Sequence, residues 1–136
     1  MDLCLNLSLR KASRVMTQIY DDYLSVVGLR VGQFSILRAT HFTQPTTNSA
    51  LQEVLVLDQT TLTRNLKPLI RDGYIQVRPS DEDKRVKELS LSETGEALYQ
   101  KALPLWQEAQ SKIKDQLGES CVENLLAVSS AIVDIR

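Results

Sequence analysis

The sequence is poor in the residues that build metal centres and disulfide frameworks. Its 136 residues include two cysteines, Cys4 and Cys121, and one histidine, His41. The cysteines are too few and too far apart for a zinc site or a disulfide framework, and a lone imidazole has no second histidine to help it bind a metal. We therefore expect no metal site and no cofactor.

Long apolar runs and catalytic groupings are also missing. No segment approaches the roughly 20 apolar residues that a membrane span needs. Residues 1–4 lack the basic region of a signal peptide, so a cytoplasmic protein without a membrane partner is expected. No nucleophile–base pair, metal cluster or phosphate-binding loop is recognisable, which argues against an enzyme.

Charge is nearly balanced overall but uneven along the chain. The formal net charge is −1 at pH 7. Residues 58–87 contain seven basic and five acidic side chains, whereas residues 88–136 contain four basic and eight acidic ones. This distribution is expected if only the middle of the chain meets phosphate.

Apolar spacing predicts helices over most of the N-terminal half. Residues 3–9 alternate as a strand would, but helical spacing continues to Tyr23 without a turn signal, which favours one helix that ends at Gly28. The wide apolar arc of this helix suits a dimer interface. Three further helices are predicted, over residues 31–41, 48–56 and 59–72.

Caps and inward faces can be predicted for these helices. Thr47 is the expected N-cap of the third helix and Asp58 that of the fourth, while Pro68 predicts a bend or a weak last turn in the fourth. The apolar residues expected to face inward are Phe34, Ile36 and Leu37 in the second helix and Leu62, Leu66, Leu69 and Ile70 in the fourth.

The second half begins with a hairpin and ends with helices. Residues 74–78 and 86–91 alternate around a polar loop, which predicts a β-hairpin with a charged tip. A long amphipathic helix then starts at Ser92 or Thr94, carries Trp106 as an interface anchor, and is separated from a last helix by Gly118.

This order of elements predicts a mainly α fold with a small two-stranded β wing, a winged helix-turn-helix flanked by dimerisation helices. The chain is expected to be one domain over residues 1–136, with the winged helix-turn-helix at 31–92 and the dimerisation helices at 1–27 and 93–136.

The fourth helix carries the candidate DNA-reading residues. The face opposite the leucines presents short hydroxyl side chains near the N-terminus of the helix, where the helix dipole favours phosphate. The same face presents Arg64, whose planar guanidinium group can recognise guanine. A solvated helix face is the alternative. The residues assigned to double-stranded DNA here are Thr47 and Asn48 at the start of the third helix, and Gln59, Thr60, Thr61, Thr63, Arg64 and Lys67 in the fourth.

The hairpin tip supplies a second set of contacts. Lys84 and Arg85 lie at the end of an arm that would reach an adjacent minor groove, where arginine reads groove width. Asp83 is expected to pair with Arg85 or another basic group and to fix its direction. A solvated turn is the alternative.

Four segments resemble the MarR family of transcription regulators. Residues 58–75 resemble its recognition helix, residues 83–85 its Asp-x-Arg wing signature, residues 89–95 the passage that follows, and residues 28–37 the start of its second helix. The resemblance implies a homodimer that binds a palindromic operator, with repression relieved by a small anionic or phenolic effector or by cysteine oxidation.

The effector and the redox chemistry remain open. Arg10 and Arg14, one turn apart, could hold a carboxylate, and they could equally be solvated or paired across the dimer. Tyr20 lies where one branch of the family keeps a tyrosine, although a tyrosine on an apolar face is usually a core residue. Cys4, with Cys121 of a second subunit, suggests the peroxide-sensing branch, but Cys4 lies two residues before the expected position of that cysteine. A further alternative is a winged-helix adapter that binds protein instead of DNA, which would tend to lack Arg64 and Arg85.

Overall fold

The computed structural model describes residues 2–136. It contains six α-helices and one antiparallel pair of strands. The elements in chain order are α1 (Leu5–Leu24), a 3₁₀ turn (Ser25–Val27), α2 (Val31–Thr43), α3 (Asn48–Leu55), α4 (Gln59–Arg71), β1 (Ile75–Pro79), β2 (Lys87–Leu91), α5 (Glu93–Leu117) and α6 (Glu119–Val133). The predicted order and fold class are confirmed, including the helix in place of an N-terminal strand.

Side-chain caps set where the helices begin. Thr47 accepts the N–H of Ala50 at the start of α3, as predicted, and Ser92 rather than Thr94 caps α5 by accepting the N–H of Gly95. The 3₁₀ turn after α1 ends at Gly28, whose φ of 73° is a left-handed conformation that glycine adopts at low cost. The α4 helix continues through Pro68 to Arg71.

One core joins the helices to the wing. The buried residues Phe34, Ile36 and Leu37 of α2 and the three leucines of α4 belong to it, as predicted, together with Leu89 of β2. Ile70 was expected to face inward, but 40% of it is exposed because it lies on the edge of α4 toward the wing. Trp106 was expected to anchor an interface; within the chain it is half-buried and its ring stacks on Phe34, with centroids 5.6 Å apart.

The wing is extended by one isolated β-bridge that was not predicted from the sequence. β1 pairs with β2 in a register that sets Ile75 opposite Leu91 and Val77 opposite Leu89. On its other side, Leu89 exchanges both backbone hydrogen bonds with Thr46, in the loop between α2 and α3. This bridge ties the wing to the start of α3.

The terminal helices leave many apolar side chains exposed. No residue of α6 is buried, and α1 buries only Leu24. The exposed large apolar residues of these two helices and the short segments beyond them are Leu3, Leu5, Leu7, Leu9, Val15, Leu126, Val128, Ile132, Val133 and Ile135. Two helices that expose this much apolar surface are expected to have a partner.

Gly95 allows α5 to approach the wing closely. A Cβ at this position would lie 2.0 Å from the carbonyl oxygen of Tyr74, so Gly95→Ala must push the start of α5 away from the hairpin. We expect a loss of roughly 1–3 kcal/mol in the free energy of unfolding, measured by urea denaturation. The control is Gly32→Ala, where the nearest atoms, in the side chain of Asn65, are 3.9 Å away. Equal stability of the two variants would show that the contact with Tyr74 is unimportant.

Candidate nucleic-acid interface

The α4 helix has one buried and one exposed face. Leu62, Leu66 and Leu69 are 1–3% exposed and hold the helix against the core. At its N-terminus, Asp58 accepts the N–H of Thr61 at 2.6 Å. This hydrogen bond, followed by the nearby positive charge of Arg64, lowers the pKa of Asp58, so the cap is ionised at neutral pH.

The exposed face of α4 carries the predicted polar residues. Gln59, Thr60, Thr63, Arg64 and Lys67 are exposed, and Thr61 is half-buried. Among residues 2–136, Arg64 and Lys67 form no ion pair. Their charges are therefore available to a ligand outside the chain.

Two adjoining clefts join α4 to the wing and to the start of α3. One, of about 360 Å³, is lined by Thr63, Lys67 and Asn48, and the other, of about 470 Å³, by Thr47, Asn48 and Arg85. Asn48 lines both clefts. The structure thus brings five of the predicted residues into one surface, which we call the basic surface: Thr47, Asn48, Thr63, Lys67 and Arg85. The other predicted residues line neither cleft: Gln59, Thr60, Thr61, Arg64, Asp83 and Lys84.

The wing tip is organised by an aspartate–arginine pair. Both Asp83 oxygens accept from the guanidinium of Arg85 at 3.1 Å, and Oδ1 also accepts the Arg85 backbone N–H at 3.0 Å. These bonds lower the pKa of Asp83. The predicted pairing is confirmed, and because 91% of the Arg85 side chain is exposed, the acid directs the arginine without burying it. Lys84 beside it is exposed and forms no ion pair within residues 2–136.

Several residues of the basic surface were not predicted from the sequence. Ser49, Ile70 and Lys87 line the cleft beside the wing, and Arg71 lines the cleft along α4. Lys87 follows the predicted wing residues by only two positions and could have been included on that basis. Ile70 could not, because its position in the heptad-like spacing indicates a core residue.

The candidate effector residues do not form one site within the chain. Arg10 and Arg14 are exposed on α1. Tyr20 is half-buried, its hydroxyl donates to Oε1 of Gln110 in α5, and burial raises the pKa of its hydroxyl. Tyr20 therefore acts in this chain as a polar link between two helices.

Both cysteines are free and exposed. The sulfur of Cys4 accepts the N–H of Leu7 at 3.4 Å and caps α1. Cys121, near the start of α6, lines an apolar groove of about 550 Å³ between α1 and the C-terminal helices. Within residues 2–136, no cluster of three or more histidine, cysteine or carboxylate side chains could hold a metal ion, and no helix is long and apolar enough to cross a membrane.

These elements define the class of the protein. A helix with a buried leucine face, a tight turn before it and an adjoining two-stranded wing form a winged helix-turn-helix. The sequence profile of the MarR family matches residues 29–87. The chain belongs to the MarR family of transcription regulators.

Individual relatives agree with this assignment. An uncharacterized HTH-type transcriptional regulator of Bacillus cereus is 36% identical over 87 residues, 64% of this chain and 57% of that protein. The organic hydroperoxide resistance transcriptional regulator of Bacillus subtilis is 33% identical over 94 residues, 69% of this chain and 64% of that protein. The matches therefore span little more than half the length of these curated relatives. Both are named as transcriptional regulators.

A solved structure matches over nearly the whole chain. The crystal structure of the Mycobacterium tuberculosis transcriptional regulator MosR in complex with DNA is 32% identical and has a TM-score of 0.82. The superposition covers 98% of this chain and 99% of that one. The terminal helices thus share the fold of that regulator as well as the winged segment.

The charge of the Asp58 cap makes a pH prediction. The pKa of Asp58 is lower in the folded chain than its ordinary value of 3.8. The ionised cap therefore contributes its full stabilisation at pH values above 3.8, and this stabilisation is lost as the pH falls through the lower pKa of the folded chain. We expect Asp58→Ala to melt at a lower temperature at neutral pH and this gap to narrow in acid. Asp58→Asn, an uncharged cap, should differ from Asp58→Ala by an amount independent of pH. A wild-type advantage over Asp58→Ala that persists unchanged through the acid range would contradict the assignment.

Proposed function

We propose that the protein is a sequence-specific regulator that binds double-stranded DNA as a homodimer on a palindromic operator. The observation that carries the proposal is the basic surface, where the unpaired Lys67 of α4 and the exposed wing arginine Arg85 lie beside the start of α3. Arg64, also unpaired, is exposed on α4 one turn before Lys67. The MosR structure with DNA, of the same fold at 32% identity, supports it.

The two parts of the basic surface have different roles in this proposal. The α4 helix enters the major groove, where Thr63 and Arg64 meet base edges and Lys67 meets phosphate. Gln59, Thr60 and Thr61, at the N-terminus of α4, and Thr47 and Asn48, at that of α3, face the sugar–phosphate backbone. The wing places Lys84 and Arg85 at the adjacent minor groove, with Asp83 fixing the direction of the arginine.

The terminal helices supply the dimer interface. The exposed apolar residues of α1 and α6 and the groove at Cys121 would be covered by a second copy of the chain. Residues 1–27 and 93–136 then join two winged lobes of residues 31–92, and the two-fold axis of the dimer requires a palindromic site.

The regulatory response is proposed to be repression that an effector relieves. Arg10 and Arg14 are exposed cations on the dimerisation helix and would attract a small anionic or phenolic effector. Peroxide sensing through Cys4 and the partner's Cys121 is a second candidate, favoured by the exposure of both thiols and by the named role of the Bacillus subtilis relative. A protein-binding adapter has less support, because it would not need unpaired cations on α4.

Substitutions on α4 should distinguish residues that recognise bases from residues that bind the phosphate backbone. Arg64→Ala is expected to relax the preference for one base pair in each half-site, by roughly 1–3 kcal/mol of discrimination. Lys67→Ala should weaken all duplexes alike and lower the slope of log affinity against log salt by about one unit per lost phosphate contact.

Both variants would be titrated against matched and mismatched duplexes, enriched from random sequence, at several salt concentrations. Lys101→Ala, an exposed lysine on α5 outside the basic surface, is the control and should match the wild type. If Arg64→Ala alters affinity without altering base preference, Arg64 contributes to DNA binding but not to sequence specificity. If no duplex is bound above background by the wild type, the proposed function fails.

A further inference from the structure

The start of α2 is bound by a side chain from another helix. Oδ1 of Asp21, in α1, accepts the backbone N–H of Val31, the first residue of α2, at 2.8 Å. Arg30, the N-cap residue of α2, makes no capping bond with its own side chain. Among residues 2–136, this is the one side-chain hydrogen bond that joins α1 to residues 31–92.

The electrostatics of this contact are favourable. The N-terminus of a helix carries unsatisfied N–H groups and a partial positive charge, so a carboxylate is a stronger acceptor there than a neutral group. Asp21 is half-buried, which limits the competition from water. The carboxylate therefore fixes the start of α2 against α1.

The opposite end of α2 is held by α5. Nη1 of Arg38 donates to the hydroxyl of Tyr99 at 3.0 Å, and its guanidinium lies 4.6 Å from the ring centre of Trp106. Nδ1 of His41 lies 2.9 Å from the carboxylate of Glu96. Both long helices proposed to build the dimer thus hold α2, one at each end.

We propose that Asp21 is a positioning residue that sets the distance between the two DNA-reading helices of the dimer. This inference rests on the proposed function. Without the Asp21 bond, the start of α2 is held by the packing of Phe34 and by the bond from the Leu29 N–H to Leu24, so α2 and the lobe that packs on it are fixed less rigidly against α1.

The size of the resulting movement matters because DNA has a fixed repeat. The α2 helix has 13 residues and is roughly 20 Å long at 1.5 Å per residue. A rotation of about 10° moves its start by roughly 3 Å, close to the rise of one base pair. A change of one base pair also turns one half-site by roughly 35° about the DNA axis. A small loosening at Asp21 supplies part of the required movement and therefore lowers the penalty for altered spacing without removing it.

The test compares duplexes in which the half-site spacing differs by one base pair in either direction from the preferred one. For each protein, the ratio of affinities for preferred and altered spacing is measured. Asp21→Ala should lower this ratio by roughly two- to tenfold, the range that corresponds to one intramolecular hydrogen bond of ordinary net strength. Its affinity for a duplex with one half-site should stay at the wild-type value, because no DNA contact has changed. Asp21→Asn keeps an acceptor and should retain most of the ratio.

Asp22→Ala is the matched control, since Asp22 is the neighbouring acid on α1 and makes no side-chain bond to α2. Its carboxylate accepts a hydrogen bond from the side chain of Gln18, and its backbone carbonyl accepts one from the hydroxyl of Ser25. It should keep the wild-type ratio. If Asp21→Ala does not fold, Asp21→Glu carries the same prediction, because one added methylene moves the carboxylate out of register with Val31.

An unchanged ratio in the folded Asp21 variants overturns the inference while the proposed function stands. A loss of affinity that is equal for all spacings and for the single half-site also overturns it, because it would indicate a general structural role. Absence of binding by the wild type would instead refute the proposed function.

Discussion

Burial of one face of α4 is the constraint on which the rest of the structure depends. Leu62, Leu66 and Leu69 are almost fully removed from solvent and share one core with the apolar residues of α2. Each fully buried leucine stabilises the fold by roughly 1.5–3 kcal/mol. Because a helix has 3.6 residues per turn, anchoring these three positions leaves Thr63, Arg64 and Lys67 on the outer face with no freedom to turn inward. The core therefore orients the polar face of α4.

The electrostatics of the molecule follow from local arrangement and not from net charge. A chain of net charge −1 still presents a basic surface, and two of the acids nearest to it are engaged in local contacts. Asp58 is bound to the N-terminus of α4 and Asp83 to Arg85. Each of these acids positions a helix or an arginine, so its negative charge contributes to the organisation of the site.

The elements that obey a local rule could be predicted from the sequence. Asp58 precedes a helical apolar pattern, and the Asp83–Arg85 spacing allows a side-chain pair within one turn, so the start of α4 and the direction of the wing arginine were both accessible.

Features that depend on distant residues could not be predicted. Nothing local marks Thr46 as the partner of Leu89, since an isolated bridge has no periodicity. Trp106 has the large aromatic side chain that is common at interfaces, and only the packing of α2 against α5 shows that it stacks on Phe34. The bond from Asp21 to Val31 depends on the path of the chain through the 3₁₀ turn, which one sequence does not specify.

The central claim is that two copies of this chain present the same basic surface to a two-fold symmetric DNA site. The most direct measurement is selection from random double-stranded sequences with the purified full chain. The account predicts enrichment of a palindrome whose half-sites are centred about one helical turn, roughly 10 base pairs, apart. Enrichment of an asymmetric single site, or no enrichment at all, would contradict it.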